Sequence, residues 1–149
     1  MSTEKKEEAD KDEYDRFLDE IKKKIPDTDE LYDSVLTLAT VRPSSIKDAD
    51  PNAILIEAQE LDKRERIGDA FHKFRRAALS AFYNKSENMQ KIWNAYAEFL
   101  GRNEGLAHFH SKDLEAYERV KKREDIMQIL INTYGEFIRA PVEISKKKS

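Results

Sequence analysis

The chain of 149 residues contains no cysteine, only four glycines and four prolines, and a single tryptophan. Without cysteine, disulfide bonds, thiolate metal ligands and a cysteine nucleophile are excluded. The sequence also lacks a glycine-rich phosphate loop, an H-E-x-x-H motif and a G-x-S-x-G motif. No apolar run resembles a membrane span or a secretory signal. We therefore expect a cytoplasmic protein that has no membrane segment and binds no cofactor.

Charged residues are abundant: they make up 38% of the chain, and the net charge is −3. Together with the scarcity of glycine and proline, and a mean hydropathy of −0.82, this composition is typical of a helix-rich globular protein. The negative net charge argues against a protein that coats nucleic acid non-specifically, because such binding depends on neutralising phosphates. Residues 63–91 nevertheless hold eight Lys or Arg against three acids. This local excess of positive charge is compatible with a basic patch on the surface.

The length predicts one domain, flanked by charged tails. Residues 1–12 are highly charged and almost without apolar side chains, so burial cannot offset the entropy of ordering them, and we expect disorder there. Residues 13–141 form the predicted helical domain. Residues 142–149 form a basic tail that we expect to fray.

Apolar residues recur at intervals of three and four, which predicts an all-α domain of about six helices. The predicted helices run from about Lys11 to Pro26, from Asp27 or Thr28 to Val41, from Pro51 to near Asp62, from Arg64 to Tyr83, from Ser86 to Gly101 and from Ser111 to Pro141, with loops at 43–50 and 102–110. Asp50 is the expected N-cap before Pro51. Trp93 is expected in the core.

The helix predicted at 64–83 carries both the clearest apolar stripe and the strongest local positive charge. Its stripe consists of Ile67, Ala70, Phe71, Phe74, Ala78, Ala81 and Phe82. The opposite, exposed arc is predicted to hold Arg66, Asp69, His72, Lys73, Arg76, Ser80 and Tyr83, with Arg75 on its flank. Several donors within two turns form a candidate phosphate-binding face. The alternative is a solvated surface with an Asp69–Lys73 ion pair.

Two weaker motifs lie between residues 102 and 113. His108 and His110, with Asp113 nearby, raise the possibility of a metal site, but their spacing in a loop without a third strong ligand is poor zinc geometry, so we expect no metal. Arg102 followed by His108 resembles the R-x(4-6)-H signature of the HEPN ribonucleases, in which these two residues act on the scissile phosphate. A ribonuclease is therefore one open hypothesis.

A longer resemblance joins two segments that lie about thirty residues apart. Arg42-Pro43-Ser44-Ser45-Ile46-Lys47 resembles the F-P-P-C-I-K entry to the C-terminal domain of the large subunit of archaeal and eukaryotic DNA primase. The segment 76–82, RAALSAF, is similar to that family's R-F-A-L-A-T-F helix. Ser45 stands where the family has its first iron–sulfur cysteine. The absence of cysteine makes the chain more similar to the PriX family, the small cluster-free third subunits of some archaeal primases.

This resemblance implies a non-catalytic subunit that binds the 5′-triphosphate of the initiating nucleotide and the single-stranded DNA template. Its implied partners are the catalytic and large subunits of the primase. Arg76 matches the motif arginine, and His72 and Lys73 match a basic neighbourhood of the family; Arg75 is added because it is adjacent. No clustered acidic triad for a two-metal polymerase site is present, so no catalytic residue is assigned. A further hypothesis is a helical scaffold in another nucleic-acid complex, such as the small subunit of a CRISPR effector.

Overall fold

The computed structural model describes residues 13–110 and 112–139 in full and gives helix bounds within 2–148. Over that range it contains no strand, eight α-helices of four or more residues, one α-helical turn of three residues, a 3-10 turn and a π-helical segment. The elements are α1 (Ser2–Lys24), α2 (Tyr32–Leu38), α3 (Pro43–Ile46), α4 (Pro51–Lys63), α5 (Ile67–Tyr83), α6 (Met89–Arg102), the turn α7 (Ala107–Phe109), α8 (Glu115–Lys121) and α9 (Glu124–Lys148). The all-α prediction is confirmed, with about eight helices instead of six.

Some predictions fall on residues outside those described. They are the disordered segment at 1–12, the helix cap at Ser111, the helix end at Pro141 and the basic tail at 142–149. Among the described residues, no helix combines the length and the apolar character that crossing a membrane requires.

The additional helices arise where a long helix or a loop was predicted. The predicted loop at 43–50 contains α3, because Pro43 suits a first helical position and Ile46 is fully buried. The predicted helix at 111–141 is divided between α8 and α9. At this break Arg123 pairs with Asp125 and with Asp29, a residue from the connection between α1 and α2.

The second helix and the predicted loop at 102–110 also differ from the prediction. The second helix begins at Tyr32 instead of near 27–28, because the Asp29 carboxylate accepts a hydrogen bond from the Leu31 amide at 2.8 Å in the preceding turn; the helix also ends early, at Leu38. The predicted loop at 102–110 is instead largely helical. A 3-10 turn, α7 and a π-helical segment, His110–Leu114, follow one another there.

Helices α4 and α5 form with a break between them as predicted, although α5 begins at Ile67 instead of Arg64. The Asp50 carboxylate caps α4 by accepting a hydrogen bond from the Asn52 amide at 3.0 Å, and the chain breaks after Lys63. Glu65 adopts a positive φ of 60°, and the Arg66 amide donates to the Leu61 carbonyl at 3.0 Å. This is the hydrogen-bond pattern of a Schellman cap, which reverses the chain so that α5 packs along α4.

Helix α5 lies at the centre of the fold, packed against α3, α4, α6 and α9. Its predicted stripe is buried apart from Ile67 and Phe71, which are half-buried. The prediction that Ser80 and Tyr83 are exposed is wrong, because neighbours cover the C-terminal half of α5 on nearly every side. The Tyr83 hydroxyl donates to the Leu38 carbonyl at 2.8 Å.

The buried apolar side chains form one cluster. Trp93, predicted in the core, is 1% exposed and stacks on Tyr117 with ring centroids 4.3 Å apart. Phe17 of α1 packs edge-on against Tyr83 at 5.8 Å. The contact between Phe17 and Tyr83 holds α1 against α5 and thereby positions the surface that lies between these two helices.

Candidate anion-binding cleft

A cleft of about 580 Å³ opens between α1, the connection from α2 to α3, and α5. Its lining combines basic, aromatic and apolar side chains. The lining residues are Tyr14, Thr40, Val41, Arg42, Ser45, His72, Arg75, Arg76 and Leu79. Three are arginines and one is a histidine, while none of these lining residues is acidic. Such a cleft has the size of a small-molecule site and a charge that favours anions.

Arg76 is held at this cleft by the backbone of α3. Its Nε donates to the Ser45 carbonyl at 3.0 Å, and no other hydrogen bond or ion pair of its side chain occurs among the described residues. The two terminal nitrogens therefore remain available for a bidentate contact, which is the geometry that suits phosphate. The Asn84 side chain also donates to the Ile46 carbonyl at 3.1 Å, so α3 and α5 are joined at two points.

Arg75 has a different role from the one predicted from its sequence position. Its Nε donates to the Asp113 carboxylate at 2.9 Å, and its terminal nitrogens donate to the Thr40 carbonyl at 3.1 Å, the Thr40 hydroxyl at 3.0 Å and the Thr37 carbonyl at 3.3 Å. The Asp113 side chain is 4% exposed and also accepts from the Tyr96 hydroxyl at 2.6 Å. Protein groups thus already engage the donors of Arg75, which forms part of the cleft wall.

Lys73 lies outside the lining of the cleft. Its ammonium group pairs with Glu57 of α4 at 3.0 Å. The predicted Asp69–Lys73 pair does not form, because Asp69 pairs instead with Arg66. The exposed face of α5 is therefore divided, with Lys73 directed towards α4 and Arg76 towards α3.

His72 and Arg42 complete the basic part of the cleft. His72 is exposed and lies one turn before Arg76 on α5. Arg42 is also exposed, and its extended backbone precedes Pro43 at the start of α3. Arg42 was quoted as part of the primase-like motif but was not predicted as a ligand. Its position at the head of the quoted motif was the available signal.

Burial also changes the pKa values of three tyrosines in the core. Burial raises the pKa of Tyr96, and the charge of the adjacent Asp113 carboxylate raises it further. Burial likewise raises the pKa of Tyr83 and raises the pKa of Tyr117 to about 12. These hydroxyls therefore act as neutral structural donors across the ordinary pH range.

This pKa pattern predicts alkaline destabilisation. Unfolded tyrosine has a pKa near 10, below the raised values in the folded protein. The stabilisation is therefore complete below about pH 10 and declines as pH rises towards the folded values, because the unfolded chain loses its phenolic protons first. Phenolate absorbance and helical circular dichroism should be followed together as pH is raised. They should show that the buried tyrosines ionise only as the helices unfold. Ionisation at ordinary pKa values with helix content intact would contradict this prediction.

The residues within each of the two weaker motifs make contacts with other parts of the chain instead of with one another. Arg102 donates to the Asp62 carboxylate at 2.8 Å, towards α4, whereas the His108 ring packs beside Phe109 at 5.4 Å between centroids. Among the described residues, no group of three or more His, Asp or Glu side chains is placed to hold a metal ion. Asp113, considered with the histidines, is engaged by Arg75 instead.

A scan against protein-family models found no family that matches this chain, and searches of curated proteins and of solved structures returned no match. The resemblance to the primase domain therefore rests on the two quoted motifs and remains an expectation.

Proposed function

We propose that the chain is a non-catalytic accessory subunit of a cytoplasmic DNA primase. In this role it binds the triphosphate of the initiating nucleotide, together with the template, beside the catalytic subunit. The observation that carries the proposal is the cleft in which Arg42, His72 and Arg76 come together without an acidic residue in the lining.

The arrangement of the two primase-like segments supports this assignment. The first segment supplies Arg42 and Ser45 to the cleft, and the second begins at Arg76. The hydrogen bond from Arg76 Nε to the Ser45 carbonyl joins them directly. Two motifs that are short individually therefore contribute to one basic cleft, as a shared role in binding requires.

The chemistry of a triphosphate matches this cleft. Its several negative charges require multiple charge-assisted donors on a rigid element. The described side chains supply two arginines with available terminal nitrogens, Arg42 and Arg76, and an exposed histidine. Lys73 and Arg75, also predicted as ligands, have a smaller part in this proposal because Glu57 and Asp113 pair with them.

The partner assignment has a direct test. The tagged full-length chain should co-purify from its source cells with the catalytic and large subunits of the primase, identified by mass spectrometry. The Arg42→Glu and Arg76→Glu variants should co-purify equally well, because the cleft is proposed to bind nucleotide. Recovery of a CRISPR effector instead of primase would favour the scaffold hypothesis and contradict the proposal.

A further inference from the structure

Tyr14 is the aromatic side chain in the lining of the basic cleft. It is half-buried, and it makes no hydrogen bond, ion pair or ring contact with the described residues. Phe17, one turn later on α1, is fully buried against Tyr83. Because Phe17 anchors the helix, Tyr14 is held at the cleft by a fixed element.

The lining near Tyr14 also includes apolar side chains. Val41 and Leu79 belong to the same cleft and are 8% and 2% exposed. The cleft therefore offers both apolar and aromatic surface as well as the cations Arg42 and Arg76. A ligand that matches this combination has a flat apolar part and a strongly anionic part, as a nucleotide does.

We infer that Tyr14 is the platform on which the base of the bound nucleotide stacks. This inference rests on the proposed function, to which it adds how the nucleoside part is held. Every base has a π-face, so stacking strengthens binding with little selection among bases. Under this arrangement the phosphates contact Arg42, His72 and Arg76, and the base contacts the wall formed by α1.

The test compares two probes on the full-length chain by isothermal titration calorimetry. ATP carries both a base and a triphosphate, whereas inorganic tripolyphosphate carries only the charges. Tyr14→Ala should weaken ATP binding by about tenfold, within the range measured for base–aromatic stacking, and leave tripolyphosphate binding unchanged. Tyr14→Phe keeps the ring and should bind ATP as the original chain does.

A second measurement uses the original chain, so its result does not depend on whether a variant folds. Addition of ATP should shift the NMR signals of the Tyr14 ring protons upfield, while tripolyphosphate should not, because ring-current shifts require a stacked base. Unchanged ATP affinity in Tyr14→Ala, or an equal loss for both probes, would overturn the stacking inference. If the original chain bound neither probe, the proposed function would fail as well; if it bound both and Tyr14→Ala had no effect, only the stacking inference would fail.

Discussion

Arg75→Ala is expected to lower the free energy of unfolding by about 3 to 5 kcal/mol, the usual cost of removing one partner of a buried ion pair. The substitution leaves the Asp113 carboxylate buried, and among the described residues the Tyr96 hydroxyl is its one remaining side-chain donor. It also removes the donors to the Thr37 and Thr40 carbonyls. Urea unfolding followed by circular dichroism measures the loss.

Two controls separate this effect from a general loss of charge. Arg66→Ala removes an exposed arginine that pairs with Asp69 on the surface, and its effect should stay within about 0.5 kcal/mol. The double substitution of Arg75→Met with Asp113→Leu removes both charges and should recover much of the stability. An Arg75→Ala protein as stable as the Arg66→Ala protein would contradict the structural role of Arg75.

Arg76→Glu is expected to weaken binding of a nucleoside triphosphate by tenfold or more. The change removes charge-assisted hydrogen bonds worth about 1.5 to 3 kcal/mol and introduces repulsion. Stability should fall by only about 1 kcal/mol, because the bond from Arg76 Nε to the Ser45 carbonyl is the one interaction of that side chain among the described residues. Titration calorimetry and thermal unfolding give the two quantities separately.

Lys91→Glu is the matched control for this experiment. It makes the same change of charge at an exposed position on α6, away from the lining of the cleft. Its affinity for nucleotide should remain close to that of the original chain. Equal losses of nucleotide affinity in both variants would show that binding depends only on net charge. Severe unfolding of Arg76→Glu would show that this arginine has a structural role instead.

Sequence patterns predicted the parts of the fold that depend on local interactions. The cap at Asp50 and the break before α5 follow from residues a few positions apart. The burial of Trp93 follows from the apolar periodicity of α6. The short α3 was missed because Ile46, a single apolar residue in a polar segment, gives no periodic signal.

Interactions between distant residues account for the other differences. Arg75 and Arg76 are neighbours in the sequence, yet one pairs with Asp113 and the other with the backbone of Ser45. No local pattern specifies these partners, which lie 38 and 31 residues away. Tyr83 was placed on the exposed arc because it lies opposite the apolar stripe of its helix, but other parts of the chain cover that side, and the Leu38 carbonyl accepts the hydrogen bond of its buried hydroxyl.

The most direct test of the proposed function is the initiation step of primer synthesis in a primase reconstituted with this chain. New primers begun on a single-stranded template are counted alongside the extension of a preformed primer. If the cleft holds the initiating triphosphate, Arg76→Glu should reduce initiation by about tenfold or more and leave extension unchanged, because only the first step requires that triphosphate. Normal initiation by a folded, fully assembled Arg76→Glu complex would contradict the proposal.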